Sequence, residues 1–148
     1  MVESSGLLGA TLMLPDAAGL PAMVVADDAQ EKLSHWIDRC GDALEPLFVR
    51  YGGLLFRGFQ CPDQSAFINA VEQCGVRTMD LLEESSRRKN VQQSVYTSTE
   101  HPPPFEIFPH HESSYSLTVP GRVFFLIQSL TALVRSGSIQ PMLPSTRR

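Results

Sequence analysis

A chain of 148 residues with 43% hydrophobic and 19% charged residues has material for one domain with a modest core, and too little charge for extended disorder. Its net charge of -4 and scattered basic residues exclude the electrostatic footprint of a nucleic-acid binder. Cys40, Cys61 and Cys74 are odd in number and lack C-x-x-C spacing, against a disulfide framework or structural zinc, and no apolar run approaches the roughly 18 residues of a spanning helix.

With an N-terminus, MVESSGLLGATLMLP, that lacks the positive region of a secretory signal, the expectation is a cytoplasmic protein with reduced thiols, no membrane and no nucleic-acid partner. Residues 1–19 read as a loose lead-in. Leu20 to Ala26 is a short apolar strand closed by Asp27 and Asp28, and Asp28 is placed to cap the next helix. From Ala29 to Val49 the residues Leu33, Trp36, Ile37, Cys40, Leu44, Leu47 and Phe48 recur at three- and four-residue intervals. Gly41 and Pro46 interrupt this pattern, which predicts two helical pieces sharing one buried face.

Gly52 and Gly53 end that helix, and Leu54-Leu55-Phe56, closed by Gly58, has the profile of a buried strand. Arg57 at its end invites reading as an anion clamp; a structural ion pair with an acid of the first helix is the plainer role. Asp63 is an N-cap for a helix running to about Cys74, with Phe67, Ile68 and Val71 inward and Gly75 as the stop. Residues 76–92 are polar, contain the run Arg87-Arg88-Lys89, and read as a mobile, solvated connection.

From Gln93 onward β-branched and aromatic residues return in Val95-Tyr96-Thr97, before the rigid turn Pro102-Pro103-Pro104. A second strand is predicted around Phe105 to Glu112. Pro120-Gly121 makes another turn, and Val123 to Ile127 reads as a buried strand.

On the extended Phe105–Glu112 segment, His110 and Glu112 form a His-X-Glu pair. Two-residue spacing on a strand sends both side chains to one face, where an imidazole and a carboxylate can share one metal ion. Such a pair is half of a mononuclear iron centre of the kind that uses two imidazoles and one carboxylate on one face of the metal. The plain alternative is a surface His-Glu pair. His111 alternates to the opposite face, and Tyr115 reads as a packing aromatic with its hydroxyl at a cavity edge. No histidine follows His111 in this sequence.

The stretches GGLLFRGF at 52–59, VYTSTEHPP at 95–103 and PHHESSYSLTVPGRVFF at 109–125 resemble, in the same order, the TauD/TfdA superfamily of Fe(II)- and 2-oxoglutarate-dependent dioxygenases, in particular its syringomycin-biosynthesis hydroxylase-like branch. His101 replaces a tyrosine of that pattern and His111 an asparagine; neither change touches a ligand. The resemblance implies that His110 and Glu112 are iron ligands. It further implies that Tyr96, Thr97, Ser98 and Thr99, with Tyr115, border a substrate cavity, and that 2-oxoglutarate is the co-substrate. The implied activity is hydroxylation of a small or carrier-tethered metabolite of secondary metabolism. The family's later Gly-Gly-Glu-Thr segment, distal histidine and co-substrate arginine have no match here.

The expected fold class is α+β, an incomplete double-stranded β-helix (jelly roll) with N-terminal helices packed on the sheet. Residues 20–128 form the dioxygenase-like part and 129–148 a divergent, disordered tail. A jelly roll takes eight strands, and about five candidates are legible. Open sheet edges then invite self-association or a non-catalytic role as a partner-binding remnant. All 16 acidic residues lie at or before Glu112. A shifted reading frame near Gln128 would explain so different an ending.

Overall fold

The computed structural model describes residues 4–14, 21–79, 89–92, 94–97, 108 and 117–127. They fall into two compact units, one up to Gly75 and the other from Val76 onward. The content is mixed α and β, and the described strands do not complete a jelly roll.

In the first unit the expected loose lead-in carries a hairpin instead. Strands β1 (Ser4–Gly6) and β2 (Ala10–Met13) pair antiparallel across Leu8 and Gly9, whose φ angles are +48° and +85°. Leu7 and Ala10 exchange both backbone hydrogen bonds at 2.7 and 3.0 Å. Positive φ at both central residues matches the right-handed twist of the flanking strands. What fixes this hairpin is burial: Ala10 and Leu12 alternate into the core, and with only two residues facing inward the alternation is too short to stand out in the sequence.

Strand β3 (Ala22–Ala26) lies antiparallel to β2 and parallel to β4 (Leu54–Arg57), giving the sheet order β1-β2-β3-β4. The parallel pair needs a crossover, and two helices supply it. Helix α1 (Leu33–Cys40) and helix α2 (Leu44–Tyr51) are joined by a 3-10 turn, Gly41–Ala43. The break falls at Gly41, where φ is +50°. Pro46 interrupts nothing. It sits in the first turn of α2, where its missing N–H would have had no intrahelical partner. Gly52, at φ +64°, ends α2 and donates to the Phe48 carbonyl at 2.9 Å.

The predicted inward face of these helices is the observed one. Trp36, Ile37, Cys40 and Leu44 are buried with Ala10, Leu12, Ala22 and Val24, while Leu33, Leu47 and Phe48 pack around them. Trp36 is fully buried, with the rings of Phe56 and Phe59 at 5.9 and 5.2 Å between centroids. Its Nε1 has no hydrogen-bond partner among the described residues, so apolar area is what the indole contributes. Strand β4 is half-buried rather than buried, because it ends the row of described strands. Its Arg57 is exposed and pairs with no acid among the described residues, contrary to the ion pair expected; an exposed guanidinium needs no partner to offset desolvation.

Asp28 does not cap α1. Its carboxylate accepts from the Gln30 amide at 2.8 Å and shapes the turn before the helix. The N-cap is Lys32, whose ammonium has no acceptor with which to cap, and the neighbouring Leu33 amide is taken by the Gln60 carbonyl at 3.2 Å. Gln60 also donates its own amide to the Glu31 carbonyl at 2.8 Å and its side-chain Nε2 to the Ala29 carbonyl at 2.7 Å. Gln60, three residues past the end of β4, thus stitches down the loop that starts the crossover. Helix α3 (Gln64–Gln73) follows with the predicted cap, as the Asp63 carboxylate accepts from the Ala66 amide at 2.8 Å.

In the second unit the expected mobile connection contains a strand. Strands β5 (Asn90–Gln92) and β6 (Val95–Tyr96) pair antiparallel. Val123 to Ile127 forms no strand ladder among the described residues and is not buried: Val123, Phe125 and Ile127 are exposed while Phe124 and Leu126 are half-buried. The strand expected around Phe105 to Glu112 lies outside the described residues except for Phe108, which is exposed.

Candidate functional site

The β5–β6 hairpin carries the first residues that the sequence assigns to a site. Tyr96 and Thr97 are half-buried and, being adjacent on an extended chain, point to opposite sides. Thr97 fastens the hairpin's open end. Its amide donates to the Lys89 carbonyl at 2.9 Å, and its Oγ1 accepts from the Lys89 amide at 2.9 Å. The hydroxyl oxygen is therefore engaged with backbone, which leaves the Thr97 O–H as the group free to donate. Lys89 had no signal in the sequence, where it reads as the end of a solvated basic run.

Ser98, Thr99, His110, Glu112 and Tyr115 lie outside the described residues, as do His101 and His111. Among the described residues no group of three or more His, Cys, Asp or Glu could hold a metal ion, and the histidine they include, His35, is exposed on α1. No helix among them is long and apolar enough to cross a membrane.

Electrostatic perturbation in the first unit is structural in kind. The Arg39 guanidinium binds the Glu31 carboxylate through both nitrogens at 3.1 and 2.8 Å and holds Glu31 below the usual glutamate range. Burial raises the Cys40 thiol, partly opposed by Arg39, and burial with the Asp63 charge raises Cys61. Thiols shifted upward are weak nucleophiles at neutral pH, so neither is an activated cysteine. The three cysteines are free, and the Cys74 Sγ donates to the Ala70 carbonyl at 3.5 Å.

Residues 17–138 match the family model described as taurine catabolism dioxygenase TauD, TfdA family. The chain belongs to the TauD/TfdA family. The match runs ten residues past Gln128, into the segment that the sequence reading set apart as a divergent tail. Two relatives agree with it. The chain is 29% identical over 113 residues to the dapdiamide synthesis protein DdaC of Enterobacter agglomerans, covering 75% of this chain and 34% of that protein. It is 32% identical over 82 residues to a clavaminate synthase-like protein of Arabidopsis thaliana, covering 55% of this chain and 25% of that protein. The chain thus spans about a third and a quarter of the length of these two relatives.

Proposed function

We propose that this chain carries the iron-binding half of a TauD/TfdA-type dioxygenase centre, acting in the complete fold as a hydroxylase of a small or carrier-tethered metabolite. The observation that carries the reading is the family match across residues 17–138, which encloses the His110-X-Glu112 pair. The donor set suits the group: one imidazole and one carboxylate at His-X-Glu spacing, which an extended backbone would bring to one face, are two of the three positions of a facial Fe(II) triad. The third position is not filled from residues 113–148, which contain no histidine. Bound Fe(II) would supply oxygen activation coupled to decarboxylation of 2-oxoglutarate.

The chain's own residues have distinct tasks in this reading. His110 binds in its neutral form, so the pair loses metal as pH falls through the imidazole range. Glu112 supplies the negative charge that favours a hard divalent cation. Tyr96, Thr97, Ser98, Thr99 and Tyr115 border the substrate, and the clasp between Thr97 and Lys89 fixes the strand on which the first of them sit. The jelly roll is the architecture this reading assigns to the complete domain. A metabolite substrate is favoured by the relatives, one named for dapdiamide synthesis and the other for likeness to clavaminate synthase.

The test is succinate formation from 2-oxoglutarate by the iron-loaded chain. The proposal expects slow, uncoupled succinate release that disappears in His110→Ala and Glu112→Ala and persists in His111→Ala. No succinate above the iron-only background would contradict turnover by this chain.

A further inference from the structure

We draw no further inference here: the strongest candidate, the half-buried Thr97 hydroxyl at the open end of the β5–β6 hairpin, belongs to the site already described, and no described residue shows what ligand it would meet.

Discussion

Thr97 holds Lys89 by two hydrogen bonds, amide to carbonyl and amide to hydroxyl, each 2.9 Å long. The two residues bracket the β5–β6 hairpin, so the second bond is a side-chain addition to the ladder where strands usually fray. Replacing Thr97 by Val keeps shape and β propensity but leaves the Lys89 amide without that acceptor. A lost hydrogen bond of this type costs about 1 kcal/mol, or roughly fivefold in local opening. Hydrogen exchange at the Lys89 amide should accelerate by that factor in Thr97→Val and stay at the wild-type rate in Thr97→Ser.

Leu8 is the non-glycine residue with positive φ among those described, and its side chain is 56% exposed at the hairpin tip. A left-handed conformation costs an ordinary side chain about 1 kcal/mol, and asparagine tolerates it by bonding locally. Leu8→Asn should raise the urea midpoint by an amount worth about 1 kcal/mol, with an unchanged slope. An equal or lower midpoint would mean that Leu8 makes contacts its exposure does not suggest.

Glu31 and Arg39 give a pH-dependent prediction of fixed sign. Glu31 is held below its ordinary value chiefly by hydrogen bonding to Arg39, so its contribution to stability is present above the unfolded value and lost as pH falls through the folded one. The pair is on the surface and its effect is small. Melting curves of wild type and Glu31→Gln should differ at neutral pH, begin to approach each other below the ordinary glutamate value of about 4.3, and converge only as pH falls through the lowered folded value.

Much of the first unit is legible in the chain. The recurrence of Leu33, Trp36, Ile37, Cys40 and Leu44 marks the buried face of the crossover helices, and Asp63 marks the start of α3, because both signals are local. The β1–β2 hairpin is not legible, since its turn holds leucine where asparagine or glycine would announce it. The role of Gln60 is hidden for another reason: its partners, Ala29, Glu31 and Leu33, are far away in sequence and meet it through backbone atoms, which no side-chain pattern encodes. The VFFLI run has the apolar composition of a buried strand, yet composition cannot say whether a covering strand is present. Of the candidate site, Tyr96 falls on a strand as read and Thr97 directly follows its end, while the clasp to Lys89 depends on a pairing that the polar segment 76–92 gives no reason to expect.

His110 and Glu112 are the proposed metal pair, and equilibrium binding of Fe(II) under anaerobic conditions tests that directly, independent of turnover. Wild type and His111→Ala should bind one ion with the same modest affinity, and His110→Ala and Glu112→Ala should each weaken it by about tenfold or more, as expected when a ligand is removed. Equal binding by all four proteins, or none by the wild type at millimolar metal, would contradict the assignment.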